Sequence, residues 1–474
     1  MQIKIANFVL FELVVQNFAA NKIVCFKIAQ NITKGEMLLR EHGYKMAEIK
    51  AFKGMRYTSA AGDLNTLVCP PYDIISSEQR KKYISDNPYN VIRLELPEGG
   101  DSRYAEAGET LQDWLNKKIL VCDSEESIYV YEMQFSANGS RRSLKGFVSL
   151  VRLSEFSEGI VLPHEETLSK AKKDRFDLMS ETFCNFSQIY SLYMDEDGSA
   201  YSIIDGCSKG IPDMEVTDPD GTVHRMWKIS DNNVISGVTA AFADKKLYIA
   251  DGHHRYETAL NFHKSLCAAG KDVPGGNSGY IAMMLVNMEN PGLVVFPTHR
   301  IVKGLENFNA DKLISECRQY FDIAEAPGEE RMQAGLNKLY DEGKKAFAVY
   351  LGCGKCYVMT LRDESAVKKL LPEMSDAYCG LDVSVLHSLV LERILGIDKE
   401  NMANQKNLTY TRSRQEALEA VDLDDADCSF ILNPTKVSEI RDVALASEKM
   451  PQKSTYFYPK LITGLVMNKF GDRR

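Results

Sequence analysis

The stretch YIADGHHRYETAL, residues 248–260, places an acid, a glycine, two histidines and an arginine in five consecutive positions, Asp251 to Arg255. The chain holds eight histidines, and two of them stand side by side here, at the end of an apolar run. That run, KLYIA, reads as a short buried strand, and the residues after it read as the start of a helix. A helix start presents unpaired N–H groups and the positive end of its dipole. Gly252 lets the backbone approach a ligand without a Cβ, and Arg255 adds a planar multi-donor cation, so phosphate is the guest these residue types suit. His253 and His254 supply two further donors, whose basicity should rise beside phosphate. On the residues alone two other readings stay open. Asp251 is also a plain helix cap, and His253 with Glu257, at i and i+4, offers ligands to a divalent metal. Asp251 together with phosphate oxygens is in addition a candidate ligand for Mg²⁺.

These residues need elements to hold them. At 474 residues and 44% hydrophobic content the chain is long enough for two or three ordinary domains. From Ile49 onward, short β-branched or aromatic runs (NVIRLEL at 90–96, SIYVYEMQF at 127–135, KGFVSLVRL at 145–153) alternate with helical stretches such as SRYAEAGETLQDWLNKK. The pattern predicts an α+β (mixed α/β) fold, with a hairpin at the turn signal Asn138-Gly139. We divide the chain into an extension (1–45), an N-terminal α/β domain (46–153), a core carrying DGHHR (154–304), an insertion (305–400) and a C-terminal segment (401–474). Residues 1–45 have little relation to the patterned chain after them, so Met46 is a candidate translation start.

Composition narrows the function. The formal charge of -9 argues against broad attraction to nucleic acid or anionic membrane, and no helix-turn-helix with a basic second helix is recognisable. The apolar stretch NFVLFELVVQNFAA contains Glu12 and is too short to span a bilayer. Eleven scattered cysteines in mostly apolar contexts fit a reducing, cytoplasmic compartment without a disulfide framework. The single C-x-x-C, Cys353 to Cys356, sits between two strand-like runs, where Gly352 and Gly354 read as a hairpin turn.

Several segments carry a resemblance. Gly252-His-His-Arg-Tyr-Glu257 resembles the phosphate-binding turns of sulfiredoxins and of ParB-type partition proteins, which implies a ParB/sulfiredoxin-like core. The sulfiredoxin nucleophile falls at His253, so sulfinic acid repair is not expected. The sequence resembles the archaeal free serine kinases in three blocks in the same order: Pro163-His164-Glu165, Asp251 to Arg255, and a tail of Asn433-Pro434-Thr435-Lys436 with Pro451-Gln452-Lys453-Ser454-Thr455. From Met46 on, CPPYDII, NPYNVIRLELP, LPHEETLSKAKKDR, ADGHHRYETAL, FPTHRIV and KSTYFYPK resemble the bacterial family known as domain of unknown function 1015. The N-terminal block and the 305–400 segment have no counterpart in the small kinases.

The kinase resemblance implies a phosphoryl transfer from ATP or ADP, with Mg²⁺, to a hydroxyl on a small metabolite, free serine being the candidate acceptor. Such transfer needs charge neutralisation on the phosphoryl group and a carboxylate near the hydroxyl. The resemblance assigns the carboxylate to Glu165, oriented by His164, and the phosphates to Asp251, Gly252, His253, His254 and Arg255, with Asp251 on the metal. It also implies that Lys453, Ser454 and Thr455 fold over the acceptor, hydroxyls and N–H groups taking its carboxylate. A nucleotide-gated ParB-like binding protein and a metal-dependent hydrolase at HHRYE are the alternatives. Plainer expectations attach to other residues. Lys172, Lys173 and Arg175 form a basic cluster that reads as a solvated face, the alternative being that one member reaches a phosphate, and Thr298-His299-Arg300 either joins the anion site or caps a loop. Cys69 to Asp73 is a rigid turn without chemistry. Asp382 caps an amphipathic helix on which His387 is a half-buried packing residue.

Overall fold

The computed structural model describes residues 46–165, 169–272 and 276–472. The 1–45 extension lies outside the described residues. The fold is mixed α/β, built on two large sheets. The first has nine strands: β1 (Ile49–Lys50), β2 (Ile128–Ala137), β3 (Ser140–Arg152), β4 (Val161–Leu162), β5 (Ile189–Tyr193), β6 (Met214–Thr217), β7 (Val223–Ile229), β8 (Leu247–Asp251) and β9 (Tyr280–Asn287). Their order is β4-β8-β5-β9-β3-β2-β7-β6, with β1 on β3. β8 runs parallel to β4 and β9 parallel to β5; the remaining pairings are antiparallel.

Both faces of this sheet are covered, which is why KLYIA and GYIAMMLVN are continuously apolar rather than alternating. One face packs Val130, Ile189, Ile249 and Met283 against helices, including α3 described below. The other packs Tyr131, Tyr190, Leu192 and Met284 against Ile440, Val443, Phe457 and Val466 of the C-terminal segment. The tail is therefore structural for the core. At the β2–β3 hairpin Asn138 and Gly139 have φ of 51° and 72°, the left-handed pair that a two-residue turn between twisted strands requires.

The second sheet contains β10 (His299–Val302), β11 (Phe321–Glu325), β12 (Ala346–Tyr350), β13 (Cys356–Leu361), β14 (Leu408–Thr411) and β15 (Cys428–Leu432), in the order β11-β13-β12-β15-β10-β14. The boundaries placed at 305 and 400 thus run through one sheet, because β12 pairs with β15 and β15 with β10. The 305–400 segment is an integral part of that unit rather than an insertion standing apart from its flanks.

Three helices matter for the site: α1 (Arg103–Asn116), α2 (Ser169–Thr182) and α3 (His253–Ala268). Two local expectations need correction. NVIRLEL is not a strand: Asn90 accepts from the Ile92 N–H and donates to the Thr66 and Val68 carbonyls, and this side-chain bonding starts a short helix, Ile92–Glu95. DVSVLHSLVLERIL is not amphipathic: Leu386 to Leu391 are all buried, Leu386–Glu392 forms π-helical turns, and Asp382 accepts from the Ala346 N–H instead of capping. The C-x-x-C lies in a glycine turn as expected, with Cys353 exposed, Cys356 buried, and the described cysteines free. Among the described residues no helix is long and apolar enough to cross a membrane.

Candidate functional site

β8 ends at Asp251 with a register irregularity against β5 between Ile249 and Asp251, which re-aims the strand end. Gly252 then takes φ +96° and serves as the N-cap of α3 without any side-chain cap. Only glycine takes that backbone without strain, and an added Cβ would lie 2.9 Å from the Arg255 guanidinium. Asp251 is therefore not the helix cap. Its Oδ2 accepts from Arg255 Nη2 at 2.8 Å and its Oδ1 from Lys460 Nζ at 2.5 Å. Burial alone would raise the Asp251 pKa, but Lys460 and Arg255 outweigh it and hold the carboxyl at about 2. Gly252 itself brings no side-chain cap to the start of α3.

The same strand end and helix start order the two histidines. His253 and His164 are buried and meet edge to face, ring centroids 4.7 Å apart. The His164 N–H donates to His253 Nε2 at 3.2 Å. His164 Nδ1–H donates to the Ile249 carbonyl at 2.6 Å, so Nε2 accepts from the Thr455 hydroxyl at 3.0 Å. Burial lowers His164 to about 4 and pushes His253 well below the ordinary imidazole range; half-buried His254 is lowered by the same cause. Burial thus sets these imidazoles opposite to the rise expected beside phosphate.

One cavity of about 270 Å³ gathers the separate blocks. Its walls are Glu165 from the first block, Asp251 to Arg255 from the second, and Lys453 with Thr455 from the tail. The Lys453 N–H donates to Glu165 Oε1 at 3.4 Å. The two tail pieces also touch, the Thr435 hydroxyl donating to the Ser454 carbonyl at 2.9 Å. Ser454 itself is buried and its hydroxyl donates to the Pro451 carbonyl. Both tail hydroxyls are thus committed inside the protein, contrary to the expectation that they take a substrate carboxylate. The loop offers instead the Lys453 side chain and backbone.

Three further segments line the cavity: Tyr72, Asp73 and Ile74; Thr298 with Tyr410 to Arg412; and Tyr456 with Lys460. The turn read as chemically silent therefore reaches the site. It is stiffened by the Arg175 guanidinium stacked 4.1 Å from the Tyr72 ring. Tyr456 carries two cations against its ring, Arg412 at 4.1 Å and Lys460 at 4.4 Å from the centroid. A glycine-histidine motif can be found by residue type; these partners carry no such signal, because their position depends on how three distant segments pack.

The basic cluster after Glu165 is used elsewhere. Lys172 pairs with Glu257 at 2.7 Å, Lys173 with Asp177 at 3.2 Å, and buried Arg175 with Asp174 at 2.6 Å. Glu257 is accordingly held by Lys172, and among the described residues no three His, Cys, Asp or Glu gather as a metal cage. With both of its oxygens on cations, Asp251 is a counter-ion and does not fit the role of Mg²⁺ ligand expected of it. Thr298 reaches the cavity wall, whereas His299 and Arg300 are buried behind it. His387 is buried rather than half-buried, and its Nε2 accepts from Arg300 Nε at 3.3 Å.

No curated protein matches the chain. Among solved structures, a conserved hypothetical protein from Pyrococcus furiosus is 14% identical over 65% of this chain and 93% of its own, with a TM-score of 0.32. A free serine kinase in complex with AMP is 13% identical over 65% of this chain and 89% of its own, TM-score 0.33. SbnI with a C-terminal truncation, from Staphylococcus aureus, is 12% identical over 67% and 86%, TM-score 0.32. Residues 49–384 match the family described as protein of unknown function (DUF1015), and the chain belongs to that family.

Proposed function

We propose that the protein is a small-molecule kinase that transfers a phosphoryl group from ATP or ADP to a hydroxyl, with free serine as the first acceptor to test. The observation that carries this reading is that Glu165 and the glycine-led start of α3 open on one cavity, although they lie 86 positions apart in the sequence, from Glu165 to Asp251. The nucleotide phosphates lie on the α3 amides and Arg255, whose remaining donors supplement its bonds to Asp251 and the Gln188 carbonyl. Glu165 accepts the acceptor's proton as the hydroxyl oxygen attacks the terminal phosphorus; the bond to the bridging oxygen breaks and ADP or AMP leaves. His164, with both ring nitrogens engaged, orients this wall and carries no proton in the step. Lys453 stands beside Glu165 on the acceptor side.

The test is phosphoserine formation, read by mass spectrometry, from purified protein with ATP or ADP, free serine and a panel of hydroxyl-bearing amino acids and small alcohols. Turnover is expected, and Glu165→Gln should lower it by about 10²–10⁴-fold while leaving nucleotide affinity nearly unchanged. No turnover across the panel would sink the kinase reading.

A further inference from the structure

Arg300, on β10, is completely buried. Among the described residues no carboxylate lies within ion-pairing distance of it. Its partners are neutral: Nε donates to His387 Nε2 at 3.3 Å, Nη1 to the Thr298 carbonyl, and Nη2 to the carbonyls of Gln452 at 3.3 Å and Lys453 at 3.1 Å, with the Tyr410 ring 5.5 Å away. A guanidinium without a counter-ion is costly to bury, and a merely structural position is met as well by an apolar side chain. Three of the residues it touches, Thr298, Tyr410 and Lys453, line the cavity.

The geometry of the peptide unit says what this contact does. In a trans peptide the C=O and the following N–H point in opposite directions, and the only cis bond among the described residues is Tyr458-Pro459. With the Gln452 carbonyl turned to Arg300, the Lys453 N–H is turned away from it, and there it meets Glu165 Oε1. The Lys453 carbonyl also faces Arg300, so the Ser454 N–H is directed away as well. Lys453 takes φ +57°, a left-handed conformation that a non-glycine residue holds only when its surroundings enforce it. Successive amides around such a residue form a concave donor pair suited to an anion.

We propose that Arg300, fixed by His387 of the π-helical turns, is a positioning residue that sets the Lys453 and Ser454 amides toward Glu165, making the second sheet part of the catalytic apparatus. The effect on rate rests on Glu165 acting as the base; the effect on the loop does not. Burial lowers the Arg300 pKa only to about 10, so the group stays charged at neutral pH, and burial keeps His387 neutral as its acceptor.

The test compares wild type, Arg300→Lys and Arg300→Ala by hydrogen–deuterium exchange and by phosphoryl transfer, the last variant with and without guanidinium chloride below denaturing concentration. Amides 453–455 are expected to exchange about tenfold faster in Arg300→Ala, while β10 and β15 keep their protection. The kcat should fall about tenfold or more with nucleotide KM unchanged, and guanidinium should restore loop protection and kcat. Arg300→Lys, which cannot bridge two carbonyls and His387 together, gives the same comparison in a milder form if the alanine variant does not fold. Unchanged loop exchange, or sheet loosening by the same factor as the loop, overturns the assignment. Should wild type transfer no phosphoryl group, the kinase reading fails, and loop exchange still decides the role of Arg300.

Discussion

Lys460 meets Asp251 at 2.5 Å, tying the C-terminal segment to the strand end that opens α3, across 209 residues of sequence. Both side chains are largely buried, 13% and 19% exposed. Removing one partner of such a pair leaves the other charge poorly compensated, although Arg255 remains on Asp251. Lys460→Met is expected to destabilise the fold by about 3 kcal/mol in urea denaturation, whereas an unchanged midpoint would mean that Arg255 alone suffices.

Gly252→Ala places a Cβ against the Arg255 guanidinium in a backbone with φ +96°. The left-handed conformation costs a non-glycine residue about 1–2 kcal/mol, and Arg255 must shift away from the α3 start. Nucleotide affinity, measured by calorimetry, should fall about tenfold, one missing charge-assisted contact. Equal affinity in both proteins would place the phosphates elsewhere.

Thr455→Val separates a structural hydroxyl from a substrate-binding one. The hydroxyl donates to His164 Nε2, so its loss leaves a buried acceptor unpaired and should cost about 1–2 kcal/mol of stability. Acceptor KM should move less than about threefold, since no contact with the acceptor is lost. A large KM effect with intact stability would return the hydroxyl to the substrate.

Acid should weaken the fold through the buried imidazoles. Burial lowers His164 from its ordinary 6.5 to about 4, and burial with nearby Arg300 lowers His299 likewise. Because the folded values lie below the unfolded ones, the unfolded chain binds more protons between them. The stability is therefore complete above pH 6.5 and is lost as pH falls towards 4. Each group contributes about 3 kcal/mol at neutral pH. Thermal melts from pH 7.5 to 4.5 should show the decline, and His164→Gln should flatten it; parallel curves would mean that His164 is already protonated when folded.

The three chemical blocks were legible because each is local: a helix start, a Pro-His-Glu and a tail are recognised by residue type, and the cavity collects them. Tyr72 to Ile74, Arg412 and Lys460 were not legible. Prolines 70 and 71 announce a turn, but only the packing of Arg175 on Tyr72 aims that turn at the site. NVIRLEL has a strand's composition, and the side chain of Asn90 overrides it. The 305–400 segment reads as an insertion because it has no counterpart in the small kinases, whereas β12 finds its neighbour β15 about 80 residues later. Asp251 carries a capping residue's identity and a counter-ion's duty, since its partner Lys460 is invisible to local reading.

The C-terminal segment also fixes when the molecule can work. Residues 453–460 supply one wall of the cavity, the contact to Glu165 and the cation on Asp251, and a ribosome adds them after every other wall. A nascent chain that lacks them has neither a finished reaction chamber nor the Phe457 and Val466 covering on one face of its nine-stranded sheet. Competence therefore arrives as a late event of synthesis, and premature termination before Lys453 removes the enclosure together with the Lys460 cation that steadies the helix start.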